Sequence, residues 1–170
     1  RQTKQFVLKY LLICEAPPES GEYFYKSTDG YLFKQVWKTF FKDEICDKPE
    51  DAYLCLLDKG FLLVDSLPYC LRYRTKDRKK PEYDQLITSY LSWWLEKLDR
   101  VTISPDLKIA MGFNLNSKSI LEACNSVLTI AGQKFIISTS NRAVSGSGYP
   151  TAYRLSEIFN TQNSKTRCCQ

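Results

Sequence analysis

The sequence predicts an α/β fold, a three-layer α/β/α sandwich around a small four-stranded parallel sheet. The chain has 170 residues, of which 44% are apolar, so it is the size of one domain that can bury a proper core. Short apolar segments alternate with segments of helical periodicity, which is typical of parallel strands joined by helices. The apolar segments are nearly continuous, as expected for strands that helices cover on both faces.

Four segments have the composition of buried strands, and each ends in polar residues or is followed by them. They are 6–14 (FVLKYLLIC), 61–68 (FLLVDSLP), 107–113 (LKIAMGF) and 134–140 (KFIISTS). Their content of β-branched and aromatic residues favours strands over buried helices.

Five segments have the apolar spacing of helices. They are 30–41, 49–60, 81–101, 119–132 and 151–159. The second begins near Pro49 with acids in its first turn and closes at Gly60, as helices commonly do. Residues 1–160 are therefore predicted to form a single domain, and residues 161–170 a disordered tail.

The chain contains seven cysteines and no histidine. No two cysteines have the CxxC spacing, so neither a metal nor another cofactor is expected. This use of cysteine fits a reducing, intracellular setting such as the cytoplasm, the nucleoid or the nucleus. The lack of histidine removes the commonest general base at neutral pH and leaves carboxylates, hydroxyls, amides, lysine or cysteine for any catalysis.

The polar residues at the strand ends form the first candidate site. They are Glu15 with Ala16 and Pro17, Asp65 with Ser66, Asn114 with Asn116, and residues 138–142. Because the carboxyl ends of parallel strands meet at one edge of a sheet, we expect these side chains to converge. Glu15 is followed by the stiff pair Pro17 and Pro18, which would fix its direction. The alternatives are that strand ends are polar because they meet water, and that Glu15 pairs with a helix N-terminus or a lysine.

Residues 72–80 (RYRTKDRKK) form a basic segment, with six basic residues and one acid in a chain of net charge +5. Clustered Lys and Arg carry non-specific affinity for nucleic acids, and the nearby Tyr69 and Tyr73 could stack on bases. The candidate nucleic-acid-binding residues of the segment are Arg72, Arg74, Lys79 and Lys80. A solvated surface loop is the alternative.

Two motifs resemble the uracil-DNA glycosylase superfamily. Residues 14–18 read CEAPP, close to GEAPG, which with GQDPYH and GINPG ends the first strand in that superfamily. Residues 59–68 read KGFLLVDSLP and match the second strand, GVLLLN, with Asp65 in place of the asparagine that reads the base edge. The resemblance covers the order and spacing of elements over about 150 residues.

The resemblance implies a four-stranded sheet, DNA binding and a hydrolase that excises bases in DNA repair. Glu15 would then stabilise the oxocarbenium-like sugar and activate water. Tyr23 or Phe24 would stack on a base extruded from the DNA, with core packing as the alternative. The base pocket implied by the resemblance consists of Ala16, Pro17, Tyr23, Phe24, Asp65 and Asn114.

The sequence also departs from the superfamily. Cys14 replaces the leading glycine of the first motif, and the HPS histidine after the fourth strand is absent. Ser140, Asn141 and Arg142 occupy that region and are expected to contact nucleic acid. An ionised Asp65 offers only acceptors, so it suits the exocyclic amine of adenine or cytosine better than uracil. A protonated Asp65 could mimic the asparagine.

Three functions remain open on the sequence. The first is a glycosylase-like domain with impaired catalysis that binds nucleic acid or a protein partner, which the missing histidine and the exchange at Asp65 favour. The second is an active base-excising glycosylase of unusual specificity that uses Glu15. The third is an unrelated α/β module that hydrolyses a small molecule or binds a nucleotide. No apolar segment approaches the roughly 20 residues of a membrane span, so no membrane association is expected. The sequence leaves the oligomeric state open.

Overall fold

The structure is a computed structural model. It describes residues 5–21, 23–44, 48–71, 77, 80–90, 93, 98, 101–112, 129–130, 133–134 and 150–161. Within these ranges the chain forms three parallel strands, a short hairpin and four helices. None of these helices is long and apolar enough to cross a membrane.

The central sheet has the order β2-β1-β3, and β1 is parallel to both neighbours. The strands are β1 (Val7–Cys14), β2 (Phe61–Asp65) and β3 (Thr102–Met111). The helices are α1 (Tyr31–Phe41), α2 (Pro49–Asp58), α3 (Pro81–Ser89) and α4 (Ala152–Phe159). The predicted α/β fold with a parallel sheet is confirmed.

Successive residues of β1 face opposite layers. Leu11 and Ile13 pack with Ile87 of α3 in one hydrophobic core. Leu12 and Cys14 pack in a second core with the buried faces of α1, α2 and α4. Helices therefore cover the sheet on both faces, which explains why the strand segments are almost continuously apolar.

The first two helices begin and end where the sequence signals predict. The buried face of α1 repeats at helical spacing through Phe33, Trp37 and Phe40. In α2, Pro49 occupies the first turn, where its missing N–H costs nothing, and Gly60 follows the helix with a φ of +79°.

The amino-terminal half of β1 contains a bulge that the sequence does not signal. Lys9 N and Tyr10 N both donate to the carbonyl oxygen of Gly60, at 2.8 and 3.0 Å. The register with β3 shifts at the same place, between Leu8 and Tyr10. Pro105 of β3 lies in this irregular stretch, where a residue without an N–H is tolerated. The strand can therefore begin at residue 102, before the proline, although the sequence predicted that it begins at residue 107.

The helix predicted over residues 81–101 is interrupted. It ends first at Ser89, and Tyr90 lies in a turn with its N–H donated to the carbonyl oxygen of Ile87 at 3.2 Å. The chain is helical again at Trp93 and at Leu98.

The fourth parallel strand predicted at residues 134–140 is not found in the part of the chain that the structure describes. Its first residue, Lys134, belongs instead to β5 (Gln133–Lys134), which pairs antiparallel with β4 (Thr129–Ile130). The helix predicted over residues 119–132 is wrong at β4, because two β-branched residues shortly before a glycine favour a hairpin. The remaining residues of both predictions lie outside the described ranges.

The last helix is predicted almost residue for residue. Thr151 caps α4, and its hydroxyl accepts from the N–H of Arg154 at 3.4 Å. Thr161, the first residue of the predicted tail, is buried and donates its hydroxyl to the carbonyl oxygen of Thr39 at 3.0 Å. Ordered packing therefore extends to Thr161, and the rest of the tail lies outside the described residues.

Candidate functional site at the carboxyl edge of the sheet

The carboxyl ends of β1, β2 and β3, with the residues that follow each strand, form what we call the carboxyl edge. Cys14 and Asp65 are register partners at the ends of β1 and β2, and Glu15 follows Cys14 directly. The two predicted acids therefore belong to the same edge of the sheet. Asn114 and the predicted residues Ser140, Asn141 and Arg142 lie outside the described ranges.

Glu15 is half-buried and held by a tyrosine. The hydroxyl of Tyr83 donates to Oε1 of Glu15 at 2.6 Å, and Tyr83 itself is buried in the first turn of α3. The carbonyl oxygen of Glu15 also accepts from the N–H of Leu67 at 3.1 Å. The adjacent Ala16 and Pro17 are half-buried. The hydroxyl of Tyr83 on α3 thus holds the carboxylate of Glu15 in its observed direction.

Asp65 is 5% exposed and receives a hydrogen bond from the hydroxyl of Tyr23. Burial raises the pKa of Tyr23 to about 12, and the charge of Asp65 and this hydrogen bond act in the same direction. Tyr23 is therefore a neutral donor at physiological pH. Each acid of the carboxyl edge is in contact with one phenol.

Cys14 precedes Glu15 in the chain and is the register partner of Asp65, and its thiol is buried. Burial raises its pKa, and the charges of Asp65 and Glu15 add to the effect. A thiol in such surroundings stays protonated, whereas the thiolate is the reactive form. A Cβ atom on Gly112, just after β3, would lie 2.8 Å from Sγ of Cys14, so a residue without a side chain is needed there.

Ser66 joins the ends of β1 and β2. It is fully buried, and both its hydroxyl and its N–H donate to the carbonyl oxygen of Cys14 at 2.8 Å. Gly112 N donates to the carbonyl oxygen of Ile13 at 2.7 Å on the other side of β1. These bonds hold the three strand ends in fixed relative positions.

The three consecutive aromatic residues 23–25 have three different environments. Phe24 is 6% exposed and packs in the core against Phe33 and Phe61, with ring centroids 5.5 and 6.0 Å away. It therefore takes the core role that was the alternative to base stacking. Tyr23 is half-buried beside Asp65 and is the member of the three that lies at the carboxyl edge.

Tyr25 caps the outer side of β2, which is an edge strand of the sheet formed by the described residues. Its hydroxyl donates to the carbonyl oxygen of Leu63 at 2.9 Å and accepts from the N–H of Leu63 at 2.8 Å. Such a cap satisfies backbone groups that an unpaired edge strand would otherwise offer to another chain. Tyr53 fixes the same segment, because its hydroxyl donates to the carbonyl oxygen of Phe24 at 2.8 Å.

The sequence does not indicate Tyr83 as a site residue. It does place Ser66 at the polar end of β2 and Tyr25 among the three aromatic residues, but it does not indicate their hydrogen bonds. One signal could have found Tyr83, since α3 follows β2 and its first turn must then lie near the carboxyl ends of the strands. A tyrosine that is buried there needs a hydrogen-bond partner for its hydroxyl. Nothing in the local pattern distinguishes Tyr25 from its two aromatic neighbours.

The basic segment, residues 72–80, connects β2 to α3. Lys80 directly precedes α3 and forms an ion pair with Asp77 at 3.0 Å. Tyr69 is 42% exposed, and its ring contacts Tyr90 edge-to-face with centroids 5.8 Å apart. The other predicted phosphate contacts, Arg72, Arg74 and Lys79, lie outside the described ranges, as does Tyr73.

A shallow hollow of about 310 Å³ lies away from the carboxyl edge. It is lined by Lys9, Tyr10, Ser104, Asp106, Lys108, Phe159 and Asn160. These residues come from the amino-terminal part of β1, from β3 and from the end of α4, and none belongs to the carboxyl edge. In the described ranges, no group of three or more Cys, Asp or Glu side chains is placed to hold a metal ion.

The fold and the site define an α/β domain with a parallel sheet whose carboxyl edge carries two acids held by tyrosines. Comparison of the chain with protein-family models, with curated proteins and with solved structures finds no significant match.

Proposed function

We propose that this domain binds nucleic acid at the carboxyl edge of its sheet, as a uracil-DNA glycosylase-like domain in which base excision is weak or lost. The observation that carries the proposal is the pairing of both acids with phenols. Tyr83 donates to Glu15, and Tyr23 donates to Asp65.

Weak catalysis follows from how Glu15 is held. A general base must offer a carboxylate oxygen to the proton of the attacking water, within hydrogen-bond reach. The hydroxyl of Tyr83 donates to Oε1 at 2.6 Å, so a water would have to use one of the remaining acceptor sites of this carboxylate. The chain has no histidine to act as general base in place of Glu15. The neighbouring Cys14 thiol is kept protonated by burial.

Nucleic-acid binding is supported by the composition of the basic segment and by the place of its last residue, Lys80, directly before α3. Six of the chain's 24 Lys and Arg residues lie in residues 72–80, a density that favours phosphate contacts. The segment ends at Lys80, three residues before Tyr83, and Tyr83 contacts Glu15. The exposed ring of Tyr69 offers a surface on which a base can stack.

Salt-dependent binding tests the proposal. Fluorescence anisotropy would follow labelled single- and double-stranded oligonucleotides at salt concentrations between about 50 and 200 mM. We expect affinity to fall steeply with salt. The variant Arg72→Gln/Arg74→Gln should bind more weakly and reduce the slope of log K against log salt by about 1 for each phosphate that the variant no longer neutralises.

The matched control is Lys9→Gln/Lys108→Gln, which removes the same two charges beside the shallow hollow. Both control lysines are exposed, so the fold should tolerate the change. We expect the control to bind like the unaltered protein. An equal loss of affinity in both variants would mean that only the overall charge matters and would contradict a site at the carboxyl edge.

A base-release assay tests the impaired catalysis. Oligonucleotides carrying uracil, hypoxanthine, xanthine or a normal base would be incubated with the protein and with Glu15→Gln, and strand breakage at abasic sites would be measured. We expect binding without substantial release. Rapid release that is lost in Glu15→Gln would establish an active glycosylase instead, and the absence of both binding and release would favour an unrelated α/β module.

A further inference from the structure

The outer face of α2 has leucines in its middle and acids at its two ends. Leu54 is 59% exposed and Leu57 is 42% exposed. Glu50 and Asp51 precede them and Asp58 follows, and all three acids are exposed. The spacing of these five positions places them on one face of the helix.

The apolar part of this face continues onto the edge of the sheet. Tyr53 lies one turn before Leu57, and its ring centroid is 5.9 Å from that of Tyr25, which caps the edge strand β2. We call Tyr25, Tyr53, Leu54 and Leu57 the α2 strip. Among the described residues, six large apolar side chains are exposed, and three of them belong to the strip. Scattered exposed leucines need no explanation, but a contiguous set indicates an interaction surface.

The charge of this face limits what can bind there. Residues 49–58 contain three acids and no basic residue, although the whole chain has a net charge of +5. Lys48 and Lys59 adjoin the two ends of the helix, and Nζ of Lys59 lies over the ring of Phe41 at 5.2 Å. A symmetric contact between two copies through α2 would bring these acids together and is therefore unfavourable. A partner with basic groups beside an apolar ridge would match the face in both charge and polarity.

We propose that the α2 strip is a docking surface for a basic amphipathic helix of a partner protein. Apolar side chains of that helix pack against Leu54 and Leu57, as ridges of one helix pack into grooves of another. Its Lys or Arg side chains pair with the acids at the two ends of α2. The proposal is independent of nucleic-acid binding, because the outer face of α2 contains no residue of the carboxyl edge.

The test uses a labelled synthetic peptide with leucines at helical spacing and lysines beside them. One control peptide has the same composition in shuffled order, and another has glutamate in place of lysine. Fluorescence anisotropy should show binding of the first peptide alone. The variant Leu54→Ser/Leu57→Ser should weaken this binding by about tenfold or more, since it removes the two apolar side chains at the centre of the strip.

Tyr153→Ser is the matched control variant, because it removes an apolar side chain that is 65% exposed on α4. It should bind the peptide like the unaltered protein, and circular dichroism should show that all variants are folded. Glu50→Lys/Asp51→Lys should weaken binding of the lysine peptide and increase binding of the glutamate peptide.

Three results would overturn the proposal. The first is equal binding of the ordered and the shuffled peptide, and the second is binding that Leu54→Ser/Leu57→Ser leaves unchanged. The third is a dimer, measured by light scattering, that this variant abolishes, because it would assign the α2 strip to a second copy of the chain.

Discussion

The two ends of the parallel sheet are held together by different chemistry. At the amino-terminal side, the carbonyl oxygen of Gly60 accepts the N–H groups of Lys9 and Tyr10, so backbone bonds to backbone. At the carboxyl edge, backbone bonds such as that from Ser66 N to the carbonyl oxygen of Cys14 are supplemented by side chains, with Tyr83 donating to Glu15 and Tyr23 to Asp65. The contacts named at the bulged end are between backbone groups, whereas polar side chains add to the backbone bonds at the carboxyl edge.

This difference is why we place the proposed function at the carboxyl edge. Burying a carboxylate costs free energy that only suitable hydrogen bonds offset, and an apolar strand end would avoid the cost altogether. Natural sequences depart from the most stable solution mainly at functional sites. The carboxyl edge departs from it at Glu15 and Asp65. A glycine that close packing requires occurs at both ends, Gly60 at the bulge and Gly112 after β3, so the two acids are what distinguishes the carboxyl edge.

Gly60→Ala, at the bulged end, should have the largest effect on the free energy of unfolding. A Cβ atom at Gly60 would lie 2.5 Å from the carbonyl oxygen of Val7, and the φ of +79° is unfavourable for any residue with a side chain. We expect the free energy of unfolding to fall by about 3 kcal/mol, measured by urea denaturation.

Gly21→Ala separates the cost of the backbone conformation from the cost of close packing. Gly21 has a similar φ of +75°, but nothing lies within 4 Å of the position of its Cβ atom. We expect this variant to lose only about 1 kcal/mol, the cost of the backbone conformation alone. Equal losses at the two glycines would show that close packing at the bulge contributes little, and the contrast between the two ends would fail.

Tyr83→Phe tests the best-defined contact of the carboxyl edge. The buried ring stays in place, but the hydroxyl that donates to Glu15 is removed. We expect the free energy of unfolding to fall by about 1.5 kcal/mol, because the bond involves a charged acceptor. Glu15→Gln keeps an acceptor oxygen and should cost less, and a double-mutant cycle of the two changes should give a coupling free energy clearly different from zero. Independent effects would mean that the two side chains do not interact in solution.

Tyr25→Phe should cost somewhat less, about 1 kcal/mol. It removes the hydroxyl that bonds both the N–H and the carbonyl oxygen of Leu63 on the outer side of β2. Hydrogen exchange provides the specific measurement, since the amide of Leu63 should exchange faster while the amide of Leu12, on the central strand, should not. Unchanged protection at Leu63 would show that β2 does not depend on this cap.

Much of the scaffold is predictable because its signals are local. Pro49 at the start of α2 and Gly60 after its end are each recognised within a few residues. Glu15 and Asp65 could be assigned to one edge because parallel strands place their carboxyl ends together. The topology therefore locates the candidate site without any knowledge of contacts.

The contacts within the site could not be predicted, because they have no local signal in the sequence. Tyr83 is 68 positions from Glu15 along the chain, and no local pattern selects it as the partner. Residues 23–25 carry no period that separates the core residue Phe24 from the site residue Tyr23. The hairpin that begins at Thr129 interrupts a helical pattern, because local β preference prevails over apolar spacing there.

The last prediction concerns pH and Tyr23, and its effect is confined to alkaline pH. Its pKa is raised from 10.0 to about 12 in the folded protein, chiefly by burial and then by Asp65. Below about pH 10 the side chain is protonated in both the folded and unfolded states, so it does not alter stability. Between about pH 10 and 12 the unfolded state releases the proton first, so the free energy of unfolding falls as pH rises. Tyr23→Phe should make this decline shallower, measured by urea denaturation at increasing pH.

Asp65→Asn sharpens this measurement, because it removes the charge but keeps an acceptor for the hydroxyl of Tyr23. Absorbance of tyrosinate, followed as pH rises, should show Tyr23 titrating at lower pH in this variant. Its pKa should still lie above the ordinary value, since burial is the larger cause. If Asp65→Asn leaves the titration unchanged, the two side chains do not interact, and the carboxyl edge retains only the pair of Glu15 and Tyr83 as a distinguishing feature.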